Sequence, residues 1–269
     1  MKKIASILLM LVLASAVFAG GSQEAATDGD NSLNYIMDKG NIVLGLDDNF
    51  PPMGFRGDDG EITGFDIDLA KEVCKRLGVE LKLQPIDWDA KILDLNSKDI
   101  DIIWNGLTIN DERKEKIDFS KPYIANRQII IVQAGSGINL KTDLAGKKVG
   151  IQLGSSAEDA VNSAPEVVES LGELVKYQDN VQALMDLGTG RIDAVVADEI
   201  MGRYYVSDKT DKYSVAEDFF AEEEYGIGFR KGDTAFIAAV DNAIDEMVKD
   251  GTAAEISKKW FAEDILLER

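Results

Sequence analysis

Residues 64–77 read GFDIDLAKEVCKRL. Leu69, Ala70, Val73, Cys74 and Leu77 recur at i, i+1, i+4, i+5 and i+8, so they share one stripe of a helix, and that stripe must face a core. Gly78 marks the end, because glycine takes the left-handed conformation that closes a helix without steric cost. The start is less ordinary: two acids, Asp66 and Asp68, follow directly on a glycine and a phenylalanine. Carboxylates there suit the partial positive charge of a helix N-terminus, each contributing roughly 0.3–1 kcal/mol, and Asp66 is placed to act as the N-cap. A catalytic carboxylate pair is the competing reading.

The segments around this helix alternate. IVLGLD (42–47) reads as a strand before it, and VELKLQPI (79–86), DAKILDLNS (89–97) and DIDIIWNG (99–106) read as strand, helix and strand after it. A second series starts near Arg127, with strands RQIIIVQ (127–133), KKVGIQL (147–153) and RIDAVVAD (191–198). Helices SAEDAVNSA (156–164) and NVQALMDLGTG (180–190) lie between them. EYGIGFRKG (224–232) runs extended, and two helices close the chain. The last of these opens on a capping box, Thr252-x-x-Glu255, with Ile256, Trp260 and Phe261 on its apolar face. Such alternation predicts two α/β units with parallel sheets covered by helices on both faces.

At the N-terminus Lys2 and Lys3 precede an apolar run, Ile4–Ala16, that ends in Val17-Phe18-Ala19, the pattern of a cleaved secretory leader. The run is too short to span a bilayer, which takes about 20 residues, and no cysteine near residue 20 offers a site for a lipid anchor. Residues 20–33, small, polar and acidic, read as a flexible tether. The chain carries 29 basic and 49 acidic side chains, a formal charge of −20 that disfavours nucleic acid and anionic membranes as partners. Histidine is absent, which removes Ser-His-Asp and Cys-His nucleophiles and every His-containing metal site. Cys74, the only cysteine, lies on the buried stripe and reads as a small core residue. The balance moves toward binding.

In open α/β sheets ligands sit beyond the carboxyl ends of the strands. Three strand exits carry costly groups: Asp47 with Phe50, Thr108 with Arg113, and Asp198. Singly, each has a plain alternative: Asp47 could cap a turn, Arg113 could pair with Asp111 or Glu112, and Asp198 could cap the next segment. Together they are complementary. An arginine offers a planar fork for a carboxylate, an acid accepts an ammonium, and backbone N–H groups near Gly106, Gly154 and Ser156 can complete the carboxylate's shell. That set suits an α-amino acid zwitterion.

GFDIDLAKEVCKRL resembles, through its full length, the signature of the extracellular solute-binding proteins that serve amino-acid ABC transporters. GNIVLGLDDNFPPMGF (40–55) is similar to that family's first strand and aromatic loop, and GLTINDERKEKIDFSKPY (106–123) to its carboxylate-binding segment. DLAGKKVGIQLGSSAEDAV (143–161) resembles the start of its second lobe, RIDAVVAD its ammonium-binding strand, and DGTAAEISKKWF (250–261) its C-terminal helix. Residues 34–269 are covered.

The resemblance implies a type II periplasmic-binding fold: two α/β lobes joined by two crossings, near 124–129 and 222–229, with a ligand cleft between them. Lobe 1 would be 34–126 with 228–269, and lobe 2 would be 127–227. It implies that Arg113 grips the α-carboxylate with Thr108, Gly106 and Ser156, that Asp198 holds the α-ammonium, and that Asp66 and Asp68 are structural. Asp47, Phe50, Trp88 and Gln152 would read the ligand side chain, with Phe50 and Trp88 as pocket walls or, alternatively, as core. WNGLTIN departs from the commonest pattern. Trp104 stands for a smaller aliphatic and is expected in the core, and Asn110 stands for a threonine and can still cap the helix of Arg113.

The function implied is a monomeric, non-catalytic periplasmic receptor without cofactor or metal, delivering a polar or basic L-amino acid to an inner-membrane ABC permease. The alternatives are a cyclohexadienyl dehydratase of the same fold and a receptor-kinase sensor domain. The first would need a carboxyl general acid in the pocket. The second would need a membrane segment and a signalling module after Arg269.

Overall fold

The computed structural model describes residues 30–269. The expected leader, and residues 20–29 of the expected tether, lie outside the described residues. The chain then runs α1 (Ser32–Lys39), β1 (Asn41–Leu46), β2 (Asn49–Phe50), β3 (Gly54–Arg56), β4 (Ile62–Thr63), α2 (Phe65–Leu77) and β5 (Glu80–Pro85). A 3-10 turn (Trp88–Ala90), α3 (Lys91–Ser97), β6 (Ile102–Thr108), α4 (Asp111–Lys116), β7 (Ile117–Phe119) and the long β8 (Ile124–Gln133) follow. The second series is β9 (Lys148–Gln152), α5 (Ser156–Asn162), α6 (Pro165–Ser170), β10 (Glu173–Tyr177), α7 (Asn180–Gly188), β11 (Ala194–Asp198) and α8 (Glu199–Ser207). β12 (Tyr213–Arg230), α9 (Thr234–Asp250) and α10 (Thr252–Phe261) complete it. Of the residues expected in the tether, 32 and 33 belong to α1, and Asp30 accepts from the Thr234 hydroxyl at 2.7 Å.

The main sheet has the order β10-β9-β11-β8-β12-β6-β1-β5, with β7 beside β12. Its outer pairs are parallel as expected, β1 with β5 and β6, and β9 with β10 and β11. The centre is not. β8 and β12 pair antiparallel over most of their length, from Tyr213↔Gln133 to Tyr225↔Ile124. They lie between the strands of the first series and those of the second, with Asn126 opposite Glu223 in the ladder.

Period-2 alternation explains the unbroken apolar runs. Ile129 and Ile131 of β8 join one core cluster while Ile130 and Val132 join another on the opposite face, and Val195 and Val196 of β11 divide the same way. In the first half Ile102 and Trp104 face α2 and α9, and Ile103 and Leu107 face Trp88 and Leu95. Trp104 and Cys74 are core residues as expected, and burial pushes the Cys74 thiol up to about 12.

The opening of α2 differs from its sequence reading. Its N-cap is Gly64, at φ +146°, where a Cβ would lie 2.2 Å from the Met53 carbonyl oxygen. The first helical N–H groups are satisfied by the loop ahead of them: Phe65 N–H donates to Pro52 O at 2.8 Å and Asp66 N–H to Met53 O at 3.0 Å. Asp66 therefore caps nothing. It is fully buried, and one carboxylate oxygen accepts the Gly106 N–H at 2.8 Å and the Tyr123 hydroxyl at 2.9 Å. Asp68 instead binds α10, through Lys259 Nζ at 2.6 Å and Trp260 Nε1 at 2.9 Å. The expected capping box of α10 is absent as well. Gly251, in the left-handed conformation, ends α9 and precedes α10, so Thr252 is already helical and its hydroxyl turns to Asp250.

Candidate functional site

Eight of the nine expected site residues line one narrow pocket: Asp47, Phe50, Trp88, Gly106, Arg113, Gln152, Ser156 and Asp198. Asn105 and Ser155 complete the lining. The ninth, Thr108, lies immediately behind, its hydroxyl 2.9 Å from that of Ser156.

The first half supplies a rigid floor. Asp66 holds the Gly106 N–H, and Gly106 itself, at φ +61°, admits no side chain, since a Cβ would come 2.9 Å from Phe50 and 3.1 Å from Tyr225. Asn110 caps α4 by accepting the Arg113 N–H at 2.8 Å, as its sequence position suggested. Arg113 is buried. Its Nη1 donates to Thr108 O at 2.8 Å and its Nη2 to Gly154 O at 3.4 Å, and burial lowers its pKa from the usual guanidinium value.

The second half closes over that floor. Asp198 precedes α8 but makes no capping bond; one oxygen, Oδ1, accepts from Asn126 Nδ2 at 2.7 Å, Gln128 Nε2 at 3.0 Å and the Tyr225 hydroxyl at 2.7 Å. Burial, reinforced by the Glu223 carboxylate, pushes Asp198 up to about 7. Gln152 reaches across to Asp47, donating from Nε2 to Oδ2 at 2.7 Å, while its own carbonyl accepts from Asn180 at 3.0 Å. Asp47 also accepts the Asn49 N–H at 2.9 Å, and burial raises it to about 6.

Sequence reasoning missed a polar layer at the crossing strands. Glu223 Oε2 accepts from Thr108 Oγ1 at 2.7 Å, Gln128 Nε2 at 3.0 Å and Asn126 Nδ2 at 3.2 Å. The Thr108 proton is thereby committed to Glu223, so the Ser156 hydroxyl is the donor in the Thr108–Ser156 pair. Lys91 was also missed. It is buried beside Trp88 and donates to Gly154 O at 2.7 Å. The only sequence signal for the crossing layer was the placement of the crossings themselves at 124–129 and 222–229.

One buried arginine and two buried acids thus line a single pocket, and the two series of α/β elements that supply them are joined by a pair of antiparallel strands. The chain belongs to the bacterial extracellular solute-binding proteins, family 3, whose family model matches residues 42–263. The L-cystine-binding protein TcyJ of Escherichia coli K12 is 39% identical over 259 residues, which cover 96% of this chain and 96% of TcyJ. An ABC uptake transporter substrate-binding protein from Streptococcus pneumoniae, solved with bound histidine, superposes with a TM-score of 0.85 at 38% identity. That match covers 90% of this chain and all (100%) of that one. The ancestral amino-acid-binding protein AncCDT-1, described as a precursor of cyclohexadienyl dehydratase, superposes with a TM-score of 0.79 at 36% identity, covering 86% of this chain and 99% of its own. The fold is therefore the type II periplasmic-binding fold, two α/β lobes with a cleft between them.

Proposed function

We propose that this protein is the substrate-binding component of an amino-acid ABC importer, and that Arg113 and Asp198 hold the α-carboxylate and α-ammonium of its ligand. The observation that carries this reading is that the two residues, one on α4 beyond β6 and one at the end of β11, line the same pocket. Arg113 presents a fork to a carboxylate, and Asp198 keeps Oδ2 for an ammonium because its three protein donors all reach Oδ1.

With the zwitterion neutralising Arg113 and Asp198, Asp47 remains as an unmatched acid beside Phe50 and Trp88. That favours a polar or basic side chain of the arginine, lysine, histidine or glutamine type. Histidine in the Streptococcus structure agrees with this class, and the name of TcyJ adds cystine as a ligand to test. The lobes, 34–126 with 228–269 and 127–227, would close about the β8/β12 crossings, with the protein acting as a periplasmic monomer that hands its ligand to an inner-membrane permease. The same pair of residues supports a non-catalytic role over a dehydratase of this fold, because a prephenate-like dicarboxylate has no ammonium for Asp198.

A thermal-shift screen against the twenty L-amino acids and L-cystine tests the reading, since a ligand at 100 times its Kd adds about 2.7 kcal/mol of stability. A shift from at least one polar or basic amino acid is expected. Absence of any shift, or turnover of prephenate with loss of water and carbon dioxide, overturns it.

A further inference from the structure

Lys91 opens α3 and is only 4% exposed, yet among the described residues no carboxylate pairs with it. Its Nζ donates to two backbone carbonyls, Trp88 O at 2.8 Å and Gly154 O at 2.7 Å, and lies 4.9 Å from the centre of the Trp88 ring. The two carbonyls belong to opposite sides of the cleft. A buried amine with no acid is costly wherever it is not fully bonded. Here two N–H groups meet two carbonyls and the remaining face rests on an indole.

The backbone beneath this contact is equally close. Gly154 adopts φ +69°, and a Cβ on it would lie 2.8 Å from Asp89 Cα. The 88–91 turn therefore sits directly on the loop that leads into α5. Gly154 O is also the atom that Arg113 Nη2 approaches at 3.4 Å, so Lys91 and Arg113 converge on one carbonyl. Lys91 is not among the residues lining the cavity.

We infer that Lys91 is a closure latch: a positioning residue that never touches the ligand but fastens the Trp88 wall of lobe 1 to the Gly154 loop of lobe 2 in the shut state. This rests on the amino-acid-binding reading above. The Gly154 bond requires the two sides to be together, whereas the bond to Trp88 O lies within one turn and persists when they part. The latch therefore acts after the ligand has entered. It slows escape and leaves entry unaltered, because the free energy it adds belongs to the shut state alone.

Lys91→Met keeps the unbranched stem and removes the donors. Measured with the amino acid that gives the largest thermal shift on the unmodified protein, its Kd is expected to rise roughly ten- to a hundredfold, the scale of a lost hydrogen bond to a charged group. The rise should appear in the dissociation rate, with the association rate within about twofold. Solution scattering of the ligand-saturated variant should show a less compact particle. Gly154→Ala, which leaves Lys91 in place and obstructs the same contact with a methyl group, should give the same pattern. A role confined to holding the 88–91 turn would instead lower the melting temperature of the ligand-free protein and leave the rates alone. That outcome, or a Lys91→Met variant with unchanged Kd and dissociation rate, overturns the latch. If no amino acid binds the unmodified protein, the proposed function fails and the latch with it.

Discussion

Gln152 and Asp47 meet across the cleft, with Gln152 Nε2 2.7 Å from Asp47 Oδ2. The bond does two things at once. It joins the end of β9 to the exit of β1, and it turns the Asp47 carboxylate to a fixed angle at one end of the cavity, with the Asn49 N–H on its other oxygen. A ligand cation arriving there shares Asp47 with two donors already in place, so its gain is that of one more charge-assisted bond and not of a free ion pair.

Asp47→Asn should accordingly weaken a basic ligand by several fold to about a hundredfold, the range of a lost hydrogen bond to a charged group, about 1.5–3 kcal/mol. Glutamine, if bound, should lose less. Acidic ligands should be rejected by the unmodified protein, because a second carboxylate in a poorly hydrated cavity beside Asp47 is not screened as it would be in water. Calorimetric titration with arginine, glutamine and glutamate checks all three. Tightest binding by glutamate would remove Asp47 from the side-chain site while leaving Arg113 and Asp198 in their roles.

Arg113→Ala should abolish binding of every amino acid, since it removes the fork to a group they all share and also frees Thr108 O and Gly154 O. Arg113→Lys should restore little, because a point charge cannot replace two parallel hydrogen bonds. Isothermal titration gives the answer directly. Micromolar binding by the alanine variant would place the carboxylate elsewhere.

Asp198→Asn keeps the shape of the side chain and an oxygen for Asn126, Gln128 and Tyr225, but loses the charge that an ammonium needs. Affinity should fall, and the ligand-induced compaction expected in solution scattering of the parent should fall with it. Equal compaction in variant and parent would mean that the two sides are drawn together by something other than the ligand's ammonium.

Much of the fold was legible because its signals are local. IIIV in β8 and AVVA in β11 are apolar on both faces, so they could only be covered strands, and the stripe of α2 could only be a packed helix. Arg113 and Asp198 stood out because charged groups at strand exits are costly unless used. What escaped was set by distance along the chain. Asp66 binds the Gly106 N–H 40 positions away, Glu223 binds Thr108 115 positions away, and no periodicity relates such pairs. Lys91 was concealed differently. DAKILDLNS reads only as a helix, and nothing in it shows that Lys91 is enclosed between Trp88 and Gly154, 63 positions further along the chain.

Asp66 offers a prediction about stability rather than binding. Burial is the largest influence on it and raises its pKa from 3.8 to about 7, against the opposing bonds from Gly106 and Tyr123. In the window between those values the folded protein keeps a proton that the unfolded chain has released, so the folded state binds more protons. Stability must then fall as pH rises across that window, by up to about 1.4 kcal/mol per pH unit from this group, and level off above about 7. Asp47 and Asp198 are shifted in the same direction and add to the slope, so the comparison has to be with a variant. Asp66→Asn keeps a carbonyl oxygen for the Gly106 N–H and the Tyr123 hydroxyl and removes the titration. Urea midpoints measured without ligand from pH 4.5 to 7.5 should decline for both proteins, less steeply for the variant, which should be the more stable of the two at the upper end. Parallel curves would mean that Asp66 is ionised throughout, and that the Gly106 and Tyr123 bonds outweigh the cost of burying its charge.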